Sequence, residues 1–267
     1  MKDKENVILK ALGTIAGIGN RIITILAMLL VIIMFMYGGY SIWSIYKTYD
    51  EAHISKEIQE MKPDITYDEP EVKEEKWDKL SGLNSDVVGW LTINDTNIDY
   101  PVVQGKDNME YINKAFNGEF SASGAVFVDY RNAGDFSDCY SLVYGHHMSN
   151  GAMFGDLDKF QNQDYMDKHH SGTLLTRENV YNLEVFACII CDAYEEMIYG
   201  IESDNSEQYA QKLNYIESNK ITWRSVDVAA EDKIIAFSTC VYSRTNGRLI
   251  VLAKMENMLL TEGCGGS

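Results

Sequence analysis

Lys233-Ile234-Ile235-Ala236-Phe237-Ser238-Thr239-Cys240, the polar turn Ser243-Arg244-Thr245-Asn246-Gly247, and Arg248-Leu249-Ile250-Val251-Leu252 read as two consecutive β-strands joined in a hairpin. Upstream lie six more short runs rich in β-branched and aromatic residues: Val87–Ile93, Ile98–Val103, Gly124–Val128, Ser141–Tyr144, Gly172–Leu175 and Tyr181–Phe186. Asn, Asp and Gly turns separate them, and no strand alternates regularly with a long helix. The pattern points to a closed barrel or a sandwich, not to βαβ units. Two helical interruptions are expected, at Asn108–Asn117 and at Ser206–Ser218. In the second, Tyr209, Leu213 and Ile216 fall on one face.

The 267 residues are 46% hydrophobic and 24% charged, enough apolar material for a substantial core, which excludes disorder of the whole chain. Against 23 Lys and Arg stand 40 Asp and Glu, a net charge of −17 with no basic cluster, so nucleic acid is not an expected partner. Three prolines exclude Pro-rich low complexity. Five scattered cysteines make no disulfide scaffold.

From Ile22 to Tyr46 no charge interrupts an apolar run bounded by Arg21 and Lys47. A helix needs only about 20 such residues to cross a bilayer core. The run ends in Gly38-Gly39-Tyr40-Ser41-Ile42-Trp43 with no small-residue cleavage pattern, so it reads as an uncleaved anchor and not a signal peptide. Four cations precede it (Lys2, Lys4, Lys10, Arg21) and three follow closely (Lys47, Lys56, Lys62), which places the N-terminus inside. Tyr37, Tyr40, Trp43 and Tyr46 gather at the distal end, as an interfacial aromatic belt does. Beyond it, residues 47–79 read as an acidic stalk with some helix, broken at Pro63 and Pro70. The expected division is a cytoplasmic 1–21, an anchor 22–46, the stalk 47–79, a catalytic domain 80–260 and a flexible tail 261–267 that contains Cys264.

Three residues carry candidate chemistry. Cys240 closes a buried strand; Arg248 opens the next, so the hairpin brings the two together. His146 follows the Leu142-Val143-Tyr144 strand and Gly145, a position both rigidly supported and accessible. A cysteine nucleophile needs a cationic neighbour to raise its thiolate fraction and a donor for the oxyanion it creates. His146 fits the first need and Arg248 the second. Sequence alone does not bring His146, 94 residues upstream, beside Cys240.

Tyr144-Gly145-His146, the Thr239-Cys240 strand end and an arginine opening the next strand resemble the active-site signature of the sortases, transpeptidases of Gram-positive cell surfaces. Asp86-Val87-Val88-Gly89-Trp90, Asn97–Gln104, Gly124–Asn132, Gly151-Ala152-Met153-Phe154 and Ser238 before Thr239-Cys240 are similar to class B in particular. The resemblance runs from about Asp86 to Leu252, with its motifs in family order. It implies an all-β fold: a closed eight-stranded β-barrel with peripheral helices after a single N-terminal transmembrane helix, with Ser206–Ser218 as the helix class B inserts. It implies Cys240 as nucleophile, His146 as acid and base, and Arg248 as the oxyanion or substrate-positioning residue. Ser238 and Thr239 are expected to line the substrate pocket. Of His146 and His147, only one can face the site from an extended strand. Leu142, Tyr144 and His146 share a face, and the family places the catalytic imidazole first.

The resemblance further implies a membrane enzyme with an extracellular catalytic domain and no cofactor or metal. It would cleave a C-terminal sorting motif of secreted proteins through a thioester. The acyl group then passes to a peptidoglycan-precursor amine or, as the alternative, to a pilin lysine. A more distant alternative is a non-catalytic, anchored peptide-binding barrel. Other motifs carry less. Cys188 and Cys191 point to opposite faces of one strand, His169-His170 has no second ligand cluster, and Glu195-Glu196 reads as a solvated loop.

Overall fold

The computed structural model describes residues 2–64, 74–201, 206–229, 232–241 and 245–258. The chain divides into two compact units, Met1–Lys47 and Thr48–Ser267. In the first, α1 (Lys2–Glu51) begins as an unbroken helix. Among the described residues it is the one helix long and apolar enough to cross a membrane, with a mean hydropathy of 2.5 over its most apolar stretch.

The second unit is built on nine strands: β1 (Val87–Ile93), β2 (Asp99–Val103), β3 (Val126–Val128), β4 (Tyr140–Tyr144), β5 (Ser171–Leu175), β6 (Val180–Asp192), β7 (Lys220–Trp223), β8 (Lys233–Cys240) and β9 (Gly247–Asn257). Helices α2 (Lys56–Glu60) and α3 (Glu74–Leu83) precede them, α4 (Gln163–Lys168) leads into β5, and α5 (Glu196–Tyr199) and α6 (Ser206–Ser218) separate β6 from β7. The strands hydrogen-bond in the order β5-β1-β2-β3-β4-β8-β9-β6-β7, and a further β5–β6 pairing closes eight of them into a ring. The barrel is the expected eight-stranded one. The ninth strand, β7, lies outside the ring. β6 is long enough to serve both partners: Val180–Glu184 pair with β5 and Ala187–Ile189 pair with β7. Two contacts are parallel, β2–β3 and β4–β8; the others are antiparallel.

Strand alternation sorts the apolar residues between two sides of the wall. On β8, Ile235 and Phe237 join the barrel core with Leu91, Val102, Val143, Leu174, Leu249 and Val251. The intervening Ile234 and Ala236 face outward with Leu142, Phe186, Ile250 and Leu252. Helix α6 covers that outer face with Tyr209 and Ile216, both buried, as the sequence led one to expect. Strands buried on both faces read as continuous apolar runs, which is the texture of Ile234–Phe237 and Leu249–Leu252.

The acidic segment after α1 packs onto the barrel. Trp77 and Leu80 of α3 are buried against Trp90, Phe127 and Leu175. Lys62 Nζ donates to Asp99 Oδ1 at 2.7 Å and to Thr92 Oγ1 at 2.9 Å, tying the segment to β1 and β2. α2 ends before Pro63; the break expected at Pro70 and the tail with Cys264 lie outside the described residues.

The helix expected at Asn108–Asn117 is instead a series of turns. Its carbonyls are used elsewhere: Tyr111 O accepts from the Ala125 amide at 3.1 Å and Ile112 O accepts from a histidine ring. Gly124, at φ +60°, allows this approach, since a Cβ there would lie 2.6 Å from Tyr111 O.

Candidate active site

The β8–β9 ladder sets Cys240 directly opposite Arg248, with Thr239 opposite Leu249 and Ser238 opposite Ile250. Cys240 is the exposed end of a strand whose preceding six residues are buried, so its thiol is held on a rigid element and open to solvent. Arg248 is half-buried and its Nη1 donates to Gly247 O at 3.1 Å.

β4 lies parallel to β8 on the other side, from Tyr140 opposite Ile234 to Tyr144 opposite Ser238. The seam continues past β4: the Gly145 amide donates to Ser238 O at 3.2 Å, and Thr239 Oγ1 donates to Gly145 O at 2.8 Å. This constant register runs from β4 through Gly145 and leads directly into His146. The half-buried His146 donates through Nε2–H to Ile112 O at 2.8 Å, because a carbonyl only accepts. His147 turns elsewhere, with Nε2 2.6 Å from Asp158 Oδ2 and a side chain only 7% exposed.

Ser238 and Thr239 are both 2% exposed, and their hydroxyls are engaged with protein groups. Thr239 holds the backbone before His146, as above. Ser238 Oγ shares a hydrogen bond of 2.9 Å with the Tyr199 hydroxyl. Tyr199, from α5, stacks on Tyr144, which stacks on Phe127, with ring centroids 6.4 and 5.2 Å apart. Burial raises the Tyr199 phenol above its ordinary range, and the Ser238 bond opposes that rise. No motif or periodicity singles out Tyr199, which sits in a short polar and apolar mixture between β6 and α6.

Asp129 is the second residue sequence reasoning left without a role. Its carboxylate accepts from Arg131 Nε and Nη2, from the Tyr144 hydroxyl and from Asn108 Nδ2, all at 2.8 Å. Burial pushes this carboxyl up, but the Arg131 fork and the neutral donors outweigh it and hold the pKa below the ordinary value. The Tyr144 side chain is thereby fixed two residues before His146.

Among the described cysteines none forms a disulfide. Cys188 faces the barrel core and Cys191 the outer face, and burial pushes the Cys188 thiol up to about 12, which makes it inert. His169 stacks on Tyr165 with centroids 3.8 Å apart, and among the described residues no three His, Cys, Asp or Glu converge as a metal set. Glu196 is exposed, while the half-buried Glu195 caps α5 at the Met197 amide and accepts from the Tyr215 hydroxyl at 2.9 Å.

The barrel thus sets an accessible cysteine and an arginine opposite each other at adjacent strand ends, with a histidine in the loop that follows β4. The sortase domain family matches residues 91–256. Sortase B of Listeria monocytogenes is 33% identical over 85% of this chain and 94% of its own. A Streptococcus pyogenes class B sortase involved in pilus biogenesis is 39% identical, covers 69% of this chain and all of its own, and superposes with a TM-score of 0.62. The Staphylococcus aureus sortase B–substrate complex is 30% identical over 69% of this chain and 86% of its own, TM-score 0.65. A sortase B complexed with triglycine is 29% identical over the same shares, TM-score 0.64. The chain belongs to the sortase family, class B, and is a cysteine transpeptidase with a role in cell-wall anchoring.

Proposed function

We propose that Cys240, His146 and Arg248 perform the transpeptidation in two acyl transfers. The Cys240 thiolate attacks a backbone carbonyl within a C-terminal sorting motif, and Arg248, facing it across the strand ends, donates to the oxyanion. His146 protonates the leaving amine from Nδ1 while Ile112 O holds the opposite side of the ring. The thioester is then attacked by an incoming amine, whose proton His146 accepts, and a new amide bond forms. Ser238 and Thr239 support this pocket through Tyr199 and Gly145. The observation that carries the reading is the exposed Cys240 paired with the half-buried Arg248 at adjacent strand ends, with the parallel β4–β8 register running on toward His146.

The donor is a sorting-motif peptide of a secreted protein, and the acceptor is an amine of a peptidoglycan precursor. The sortase B complexes with substrate and with triglycine support both classes of ligand. Residues 22–46 span the membrane with 1–21 inside and the catalytic domain outside. A second reading, polymerisation of pilins through a lysine acceptor, is favoured by the S. pyogenes relative's part in pilus biogenesis. The test is transfer assayed with the full chain in nanodiscs, using sorting-type peptides with triglycine or a lysine side chain as acceptor, and intact-mass detection of the acyl-enzyme. A thioester absent in Cys240→Ala, resolved by amine into amide, is the expected result. Peptide binding with no adduct in wild type would leave the silent barrel instead. The preferred amine separates wall anchoring from pilus assembly.

A further inference from the structure

The loop that carries His146 returns on itself through Met153, and the β4–β8 seam does not reach that return. Met153 forms an antiparallel bridge with His147, and the next amide, Phe154 N–H, donates to His146 O at 3.0 Å. Met153 itself sits at φ +51°, a left-handed backbone that a methionine rarely adopts without external support. The support is a phenol. The Tyr100 hydroxyl on β2 accepts from the Met153 amide at 2.8 Å and donates to Ala52 O at 3.3 Å, and all three residues are at most 5% exposed.

Tyr100, Met153 and Ala52 also line an open cavity of about 460 Å³. The Met153 side chain is packed in the barrel core, and its backbone amide is held by the Tyr100 hydroxyl, whose second bond reaches the residue directly after α1.

We infer that Tyr100 is a positioning residue for transpeptidation: its hydroxyl fixes the Met153 turn, and through it the backbone and ring of His146. The inference rests on the reading of His146 as the acid and base. Tyr100 stands on β2, which β3 and β4 separate from the strand of Ser238, so the proposal places its effect on turnover and not on peptide binding.

The experiment compares wild type, Tyr100→Phe and His146→Ala as full chains in nanodiscs, with kcat and KM for the sorting peptide and the thermal midpoint of each. Tyr100→Phe should lower kcat by about tenfold with KM unchanged, the size of effect one lost positioning bond has on a near-attack geometry. A second variant removes the same bond from the other side: Met153 replaced by its α-hydroxy acid, which turns the amide N–H into an ester oxygen and leaves the Tyr100 ring in place. It should show the same kcat loss, and it decides the matter if Tyr100→Phe does not fold. Unchanged kcat in either folded variant overturns the inference, as does a loss that appears in KM alone. If His146→Ala keeps full transfer, the reading of His146 itself fails; if His146→Ala is inactive while the bond-deleted variants are normal, only the role of Tyr100 fails.

Discussion

Cys240 and Arg248 on one side, and His146 on the other, are held by opposite means. The hairpin pair stands at the ends of consecutive strands whose ladder alone sets their spacing. The histidine lies beyond the end of β4, in a loop held by Ser238, Thr239, Ile112 and Phe154, groups from separate stretches of chain. A local ladder tolerates substitution, because its geometry is redundant along many bonds. A loop held by single bonds fails one contact at a time. This difference makes the loop the place where small changes alter chemistry without unfolding the barrel.

Arg248→Lys is the sharpest probe of the hairpin side. The site keeps its charge but loses the planar fork, and kcat/KM for transfer should fall by about 10²–10³ on loss of an oriented oxyanion donor. The melting temperature should stay within a few degrees on the scale of surface changes. A fall of less than threefold would take Arg248 out of the reacting geometry.

Gly145→Ala breaks the loop side. A Cβ at Gly145 would lie 2.7 Å from the Phe154 ring, whose edge packs on Phe237 with centroids 5.9 Å apart. Overpacking of this kind costs about 1–3 kcal/mol, and urea denaturation should show it. The kcat loss should exceed what that destabilisation predicts, because the displaced backbone is the one before His146. Proportionate losses would mean that the loop follows the barrel as a rigid part.

Thr239→Val cuts the seam between the two sides. It removes the bond to Gly145 O at a cost of about 1 kcal/mol, measurable by chemical denaturation, and should lower kcat a few-fold with the strand ladder intact. A loss larger than that of Gly145→Ala would reverse the comparison.

The smallest effect concerns the Asp129 network beside Tyr144. Its carboxyl is held below the ordinary value, so the stability it contributes is complete above an unfolded pKa of about 3.9 and is lost as pH falls through the lower native value. Urea midpoints between pH 2 and 6 should therefore fall less steeply with acid in Asp129→Asn than in wild type. Parallel curves would assign the acid response to other carboxylates.

The same local and non-local division explains what could be read from the chain. Ile234–Cys240 and Arg248–Leu252 showed their strands and pairing directly, because one short turn joins them. Ser206–Ser218 showed its helix through Tyr209 and Ile216, whose spacing survives in the structure. The barrel closure was legible only through family resemblance, since the β1–β5 and β4–β8 pairings join strands far apart in the chain and leave no mark in either strand. β7 was missed because Lys220-Ile221-Thr222-Trp223 is four residues long and starts two residues beyond a helix. Asn108–Asn117 looked helical, but Tyr111 and Ile112 direct their carbonyls to Ala125 and His146, partners that no local pattern reveals. Tyr199 and Asp129 were missed for the same reason, as their meaning lies in Ser238, Tyr144 and Arg131.

The strand order has a consequence for biosynthesis. β8 and β9 come last in the chain yet lie between β4 and β6 in the ring. A chain emerging N-terminus first holds β4 and β6 as open edges until those strands arrive, a state prone to pairing with other chains. Ring closure demands contacts of high sequence separation and is correspondingly slow. The exposed cysteine and the arginine enter with the two strands that shut the ring, so an unfinished copy is sticky at its edges and has no thiol at the site.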